Sequence, residues 1–252
     1  MKLYEIVSKL KVLVNIFIPA SICSDENELK DFEVKNIGLS TTATVDVIKE
    51  CALNGINFLI VLDPVFYNPI DNMIPNEIGK RKKRLIEKSN LLIARVTAFN
   101  YDADFNEFKY WGLSGKWQKR TNKLVNSFVL EKSMTANEIS KLIEESLKIK
   151  NIGIVGCVDK PGKRISLCFS TGDIITEELF INDIIITSEI NGQLIGETVR
   201  DCTLFGINKA LIVIPRNASE RAGISELSKF ITDSFPETNC KYIESGQLYT
   251  YL

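Results

Sequence analysis

Residues 57–62 read NFLIVL, and this near-continuous apolar run decides the fold class. Strands that are buried on both faces carry such runs, whereas half-exposed strands alternate apolar and polar residues. Similar runs occur at 91–96 (LLIARV), 183–187 (DIIIT) and 209–214 (KALIVI). Because amphipathic segments separate these runs, we expect parallel strands connected by helices.

The predicted elements follow the same order in the two halves of the chain. The first half predicts strand, helix, strand, helix and strand, at 34–39, 45–54, 57–62, 80–89 and 91–96. The second half repeats this order. Strands are predicted at 164–169, 183–187 and 209–214, one helix opens at 170–173, and another covers 193–204. We therefore predict an α/β fold of two similar α/β lobes with mostly parallel sheets, at residues 1–125 and 126–252.

The segment between the predicted lobes contains no low-complexity linker, so we expect the lobes to pack closely with a site in their cleft. A helix is predicted across 133–149, because Thr135 precedes Glu138 by three residues, the spacing of a capping box. An amphipathic helix is also expected at the N-terminus, where Leu3, Ile6, Leu10 and Leu13 recur at helical spacing.

Composition and charge indicate an ordinary globular protein. Hydrophobic residues make up 45% of the chain, and a net charge of −1 gives no general attraction to nucleic acids or anionic membranes. The apolar run at 12–23 is too short to span a membrane. None of the six cysteines forms a CxxC pair, so we expect reduced, structural thiols in a cytoplasmic protein.

The chain contains no histidine. This absence excludes a Ser-His-Asp triad, a Cys-His pair and an imidazole–zinc site. Any catalysis would have to use carboxylates, lysines, cysteines, tyrosines or backbone dipoles. Since open parallel sheets bind ligands at the carboxyl ends of their strands, we expect functional residues there. The candidates at these ends include Asp63, Thr97, Ser170, Glu189 and Glu220.

Several short motifs occur in a fixed order at these strand ends. They are Val61–Pro64, Val96–Asn100, Lys163–Cys168, Phe169–Gly172, Ile186–Glu189 and Pro215–Glu220. In this order the chain resembles the Nif3-like family (NGG1-interacting factor 3), whose members are also known as GTP cyclohydrolase 1 type 2 homologues. The resemblance covers nearly the whole chain and implies a homo-oligomeric ring, often a hexamer.

The resemblance also implies two divalent metal ions, held at positions that match Leu62, Asp63, Asn100, Arg216 and Glu220. Only Glu220 retains the family's residue type. Leu62 cannot coordinate a metal, and Arg216 carries a permanent positive charge. We therefore expect the dinuclear site to be lost and no metal cofactor to be bound. A charge-assisted pair of Arg216 with Glu220 or Asp63 would offset the repulsion between the remaining acids.

An active alternative remains open. Asp63, Glu220, Glu189 and Asn100 all offer oxygen ligands, and hard ions such as Mg²⁺ accept all-oxygen shells. A rebuilt site of this kind would act as a Lewis acid in a metal-dependent hydrolase.

The turn Ser170, Thr171 and Gly172 lies between a predicted strand and a predicted helix. Backbone N–H groups at such a turn can bind an anion, although an ordinary N-cap is the commoner interpretation.

Two basic segments raise the possibility of nucleic-acid binding. Residues 80–84 are all Lys or Arg, for which one solvated helix face is the usual explanation. In residues 108–123, Tyr110, Trp111 and Trp117 alternate with basic residues and could stack on bases, or serve as core or interface anchors.

We favour a non-catalytic oligomeric scaffold or a protein that binds a small anionic ligand or a partner. The metal-dependent hydrolase is the first alternative. Nucleic-acid or regulatory-protein binding is the second.

Overall fold

The computed structural model describes residues 1–68, 70–99, 107–118, 125–150, 152–168, 178–188 and 195–246. The chain divides into two compact units, Met1–Phe105 with Glu220–Leu252, and Asn106–Ser219. The first unit therefore contains two separate stretches of the chain, whereas the predicted lobes, 1–125 and 126–252, are each one continuous stretch.

The described strands and helices alternate along the chain. The strands are β1 (Val14–Phe17), β2 (Asn36–Ser40), β3 (Phe58–Val61), β4 (Leu92–Phe99), β5 (Gly115–Gln118), β6 (Val125–Met134), β7 (Gly153–Gly156), β8 (Gly162–Cys168), β9 (Ile184–Thr187), β10 (Ala210–Val213) and β11 (Asn239–Tyr242). The helices are α1 (Leu3–Leu10), α2 (Glu26–Asp31), α3 (Val45–Leu53), α4 (Glu77–Lys88), α5 (Glu107–Tyr110), α6 (Ala136–Leu147), α7 (Glu197–Leu204), α8 (Arg216–Ser219) and α9 (Arg221–Ser234).

The sheet of the first unit has the strand order β1-β4-β3-β2-β11. The pairs β4–β3, β3–β2 and β2–β11 are parallel, and β1 is antiparallel to β4 at the edge. Alternate residues of β3 contribute to two different hydrophobic clusters. Phe58 and Ile60 pack in the cluster that contains α1 and α9 residues, while Leu59 and Val61 pack in the cluster that contains α3 and α4 residues. This two-sided burial explains the continuous apolar run.

The sheet of the second unit has the strand order β5-β6-β8-β9-β10-β7. Its centre, β8–β9–β10, is parallel, and the remaining pairs are antiparallel. In β9, Ile184 and Ile186 pack in a cluster with α6, whereas Ile185 packs in a second cluster with Val199 of α7.

The structure confirms the predicted α/β fold class, the predicted start of α3 at Val45 and the capping box of α6, whereas α4 begins at Glu77 and not at residue 80. Thr44 Oγ1 accepts a hydrogen bond from Val47 N, and Thr135 and Glu138 form the expected capping box. The N-terminal helix α1 ends at Leu10, and its buried residues are Leu3, Ile6 and Leu10. Within the described part of the chain, no helix combines the length and apolar composition needed to cross a membrane.

Candidate functional site

The carboxyl end of β3 carries the first two residues of the candidate site. The N–H groups of Leu62 and Asp63 donate to the carbonyl of Thr41, at 3.1 and 2.9 Å. Thr42 Oγ1 donates to Asp63 Oδ2 at 2.5 Å. The Leu62 side chain is partly buried and packs against the core of the first unit. The loop after β2 thus fixes the Asp63 carboxylate, while Leu62 serves as a packing residue.

Arg95 on β4 connects the end of β3 to a buried carboxylate. Its Nε donates to the carbonyl of Leu62 at 3.4 Å, and its Nη1 lies 3.7 Å from Asp71 Oδ2. Asp71 is only 1% exposed, and its other oxygen, Oδ1, accepts a hydrogen bond from Phe66 N at 3.0 Å. Asp71 also has a left-handed backbone, with φ of 56°. The guanidinium therefore lies against the backbone of a position that the resemblance assigns to metal binding.

Lys82 of α4 brings a second cation to the same loop. Its side chain is buried, its Nζ donates to the carbonyl of Val65, and Nζ lies 3.9 Å from the centre of the Tyr67 ring. Burial lowers the pKa of Lys82 to about 8, although the nearby Asp71 carboxylate acts in the opposite direction. We call the segment 62–68 with 70–71 the strand-end loop. Two basic side chains, Arg95 and Lys82, hold it.

The remaining predicted site residues are distributed over both units. Arg216 is exposed at the start of α8 in the second unit. Glu220 precedes α9 in the first unit, and its carbonyl accepts a hydrogen bond from Ile224 N at 3.1 Å. The pairing of Arg216 with Glu220 or Asp63 stays a prediction. Asn100, Glu189 and the turn Ser170, Thr171 and Gly172 lie outside the described residues.

The donor set does not fit the two metal ions that the family resemblance implies. The Leu62 side chain has no donor atom, and the Arg216 side chain repels a cation at neutral pH. The matching positions therefore retain two carboxylates, Asp63 and Glu220, and the neutral amide oxygen of Asn100. Among the residues that the structure describes, no three His, Cys, Asp or Glu side chains form a group that could hold a metal ion. We therefore derive no chemical step through a bound metal.

The structure revises the interpretation of the basic run at 80–84. Lys80, Arg81 and Arg84 are exposed, as expected for a solvated face, but Lys82 is buried. The buried positions of α4 are Gly79, Lys82 and Ile86, which are three and four residues apart. This helical spacing could have predicted that Lys82 is buried. Lys82 lies on the apolar face of the helix. Because its neighbours in sequence are also basic, this position was not recognised from the sequence.

Among the aromatic residues, Trp111 is fully buried in the core of the second unit. Its ring makes an edge contact with Phe108, with 5.9 Å between ring centres. Trp111 is therefore a core anchor whose ring is not accessible to a base. Tyr110 is 42% exposed, and the side chain of Trp117 lies outside the description.

Comparisons with known proteins agree on a family and a fold. The family model for Duf34/NIF3 (NGG1p interacting factor 3) matches residues 26–247. Among solved structures, protein SA1388 of Staphylococcus aureus is 14% identical with a TM-score of 0.71, and the match covers 100% of this chain and 99% of that one. A Bacillus cereus protein related to NIF3 is 11% identical with a TM-score of 0.68, covering 99% of each chain.

A third similar structure is reduced HcgD from Methanocaldococcus jannaschii. It is 14% identical with a TM-score of 0.69, and the match covers 96% of this chain and 97% of that one. At such identities the likeness concerns the fold alone. A comparison with functionally curated proteins gives no significant match.

Proposed function

Because the chain belongs to the Duf34/NIF3 family, we propose that it is a member that has lost the two-metal site and works by binding rather than by catalysis. In this role it acts as an oligomeric scaffold, or as a protein that binds a small ligand or a partner.

The observation that carries this proposal is the chemistry of the strand-end loop. The Leu62 side chain offers no ligand atom, and its backbone carbonyl accepts a hydrogen bond from Arg95. Arg95 and Lys82 bring positive charge to Asp71, and the charge of Arg95 is permanent. In a metal site, a divalent ion would supply the charge that neutralises the carboxylates. A metal ion would therefore meet electrostatic repulsion from these cations as well as an incomplete ligand set.

The absence of histidine supports the non-catalytic part of the proposal. A general base near neutral pH would have to come from a group with a strongly perturbed pKa. Lys82 is the described lysine with such a shift, but its side chain is only 3% exposed. A buried amine that already donates to the carbonyl of Val65 is poorly placed to meet a substrate.

The metal-dependent hydrolase of the GTP cyclohydrolase 1 type 2 kind is the second candidate, and one observation favours it. Asp63 and Glu220 both belong to the first unit and both carry a carboxylate. Such oxygens could bind Mg²⁺. For nucleic-acid binding, the burial of Trp111 removes one of the three aromatic side chains on which that candidate depended.

Metal content separates the first two candidates. Tag-free protein is exposed to Zn²⁺, Mn²⁺ and Mg²⁺, freed of unbound ions by gel filtration, and measured by inductively coupled plasma mass spectrometry. We expect far less than one ion per chain. One or two ions per chain, lost in both Asp63→Asn and Glu220→Gln, would overturn the proposal and favour the hydrolase. Asp46→Asn is the matched control, because its carboxylate is 95% exposed on α3.

Oligomeric state tests the scaffold part separately. The chain has a mass of 28.4 kDa, so light scattering coupled to gel filtration distinguishes a monomer from a ring of several copies. We expect a homo-oligomer, and a hexamer is the form that the family resemblance implies. A concentration-independent mass equal to that of one chain would contradict the scaffold role.

A further inference from the structure

The second unit contains a cleft of about 490 Å³ that no predicted site residue lines. It lies where the parallel strands β8, β9 and β10 begin, since Lys163 and Arg164 belong to the start of β8 while Asp183 and Lys209 precede β9 and β10. Ligand sites of parallel sheets usually lie at the opposite, carboxyl ends. The lining residues are Val129, Lys163, Arg164, Phe180, Ile181, Asp183 and Lys209.

The cleft has an excess of positive charge, with three basic side chains and one carboxylate. Within the described part of the chain, Lys163, Arg164 and Lys209 form no ion pair shorter than 4.0 Å. Asp183 Oδ2 instead accepts the backbone N–H groups of Lys163 and Arg164, at 2.9 and 3.0 Å. The carboxylate thus organises the backbone beneath the cleft and, among the residues that the structure describes, forms no ion pair with these basic side chains.

Lys209 is the cation whose position is best defined. Its Nζ donates to the carbonyl of Asn182 at 2.6 Å. Asn182 is buried, and its own side chain donates to Glu178 Oε2 at 2.6 Å. Because a backbone carbonyl is neutral, this contact fixes the direction of the ammonium group without cancelling its charge.

One edge of the cleft is aromatic and apolar. Phe180 is 82% exposed and Ile181 is 42% exposed. A single exposed apolar side chain is common on protein surfaces, but here a phenylalanine ring adjoins three basic groups in one concavity. Such a combination offers a stacking surface for a planar ring and hydrogen-bond donors for an anion.

We propose that this cleft binds a small anionic molecule that carries a planar ring, with a phosphate as the anionic group and the size of a mononucleotide. The volume lies in the range of small-molecule pockets. Lys163, Arg164 and Lys209 hold the phosphate oxygens through charge-assisted hydrogen bonds, and Arg164 can engage two oxygens at once. Phe180 covers the ring. The inference does not depend on the loss of the metal site, because every lining residue belongs to the second unit.

Isothermal titration calorimetry at low salt with matched probes tests the site. The probes are AMP and FMN, their phosphate-free nucleosides adenosine and riboflavin, and inorganic phosphate. We expect at least one of AMP and FMN to bind at least about tenfold more tightly than its own nucleoside and than phosphate, since each of the two parts contributes roughly a tenfold factor. No detectable binding of either phosphate ester at millimolar concentration would overturn the proposal.

Two variants with exposed side chains connect the binding to the cleft. Arg164→Gln should weaken binding of the phosphate ester about tenfold but leave the nucleoside unaffected. Phe180→Ser should weaken the ester and its nucleoside by a similar factor. Lys132→Gln and Leu204→Ser are the controls, because both side chains are exposed in the same unit and do not line the cleft. Equal losses of affinity in the control and cleft variants would mean that the ligand binds through general charge or surface effects, which would overturn the assignment.

Discussion

The guanidinium Nη1 of Arg95 lies 3.7 Å from Oδ2 of Asp71, and the two side chains are 16% and 1% exposed. A carboxylate buried to this degree is costly unless it is paired and hydrogen-bonded. Asp71 Oδ1 accepts the N–H of Phe66, whereas Oδ2 has no hydrogen bond from any described residue and is compensated by the charge of Arg95. Since Arg95 also contacts the carbonyl of Leu62, the pair ties the strand-end loop to β4.

A double-mutant cycle on Arg95 and Asp71 tests whether this pair stabilises the fold. We expect Arg95→Gln and Asp71→Asn each to lower the free energy of unfolding by about 3 kcal/mol, because each leaves a buried charge without its partner. The double variant should lose less than the sum, with a coupling of about 1–3 kcal/mol. Asparagine tolerates the left-handed backbone of Asp71, so that change adds little strain.

The measurement is urea unfolding followed by circular dichroism. Arg81→Gln provides the control, since Arg81 pairs with Glu77 at 2.8 Å on the exposed face of α4. Such an exposed pair contributes about 0.5 kcal/mol. Strictly additive losses in the Arg95 and Asp71 variants would mean that the two side chains act independently.

Lys82 predicts a specific dependence of stability on pH. Its pKa falls to about 8 in the folded protein from an ordinary value of 10.5. Between these values the unfolded chain binds more protons, so the contribution of Lys82 to the free energy of unfolding rises with pH. It is greatest above the ordinary pKa and is lost as the pH falls through about 8. The slope is at most about 1.4 kcal/mol per pH unit.

Other groups make the free energy of unfolding fall as the pH rises. The contribution of Lys82 must therefore be measured as a difference between wild type and a variant. Burial raises the pKa of Cys51 to about 12 and that of Cys240 to about 11, and each lowers stability as the pH passes the ordinary thiol value. We therefore expect the stability difference between wild type and Lys82→Met to move in favour of wild type from pH 7.5 to pH 10. Lys80→Met, which removes an exposed amine from the same helix, is the matched control. A flat difference for Lys82→Met would contradict the burial of a charged amine.

The sequence was sufficient for the centre of each sheet because there the local pattern and the tertiary packing agree. The strand β3 (FLIV) is apolar at every position, and the structure buries both of its faces. β11 lacks such a pattern. Asn239 is exposed and the other three residues of NCKY are partly buried, and Cys240 pairs with Ile37 about 200 residues earlier. A contact of this sequence separation leaves no local periodicity from which a strand could be recognised.

The candidate site was predictable only at positions where the chemistry of the side chain alone decides its role. Leu62 stands out because its side chain cannot bind a metal, whatever surrounds it. Arg95 was hidden inside the apolar run LLIARV, and Lys82 was hidden among basic neighbours. Whether such a charge is buried depends on a partner such as Asp71, which lies 24 residues from Arg95 in sequence and meets it only in the folded protein.

Thr135 provides a test of local helix formation. Its Oγ1 accepts the N–H of Glu138 at 3.1 Å, and Glu138 Oε2 accepts the N–H of Thr135 at 2.8 Å. We expect Thr135→Ala to lower the free energy of unfolding by about 1 kcal/mol, because the N–H of Glu138 loses its acceptor at the start of α6. Thr135→Ser should retain most of the stability in the same urea titration. Equal losses in the two variants would attribute the effect to the threonine methyl group.

Removal of metal ions offers the most direct test of how the strand-end loop is stabilised. A bound ion that favours the folded state raises the unfolding midpoint, and its removal lowers that midpoint. Here Arg95 and Lys82 supply the positive charge, so dialysis against EDTA should leave the thermal midpoint unchanged. Adding Mn²⁺ or Mg²⁺ afterwards should also have no effect on wild type. A midpoint that falls with EDTA, recovers with Mn²⁺ and becomes insensitive to both in Asp63→Asn would instead place a stabilising ion at the end of β3.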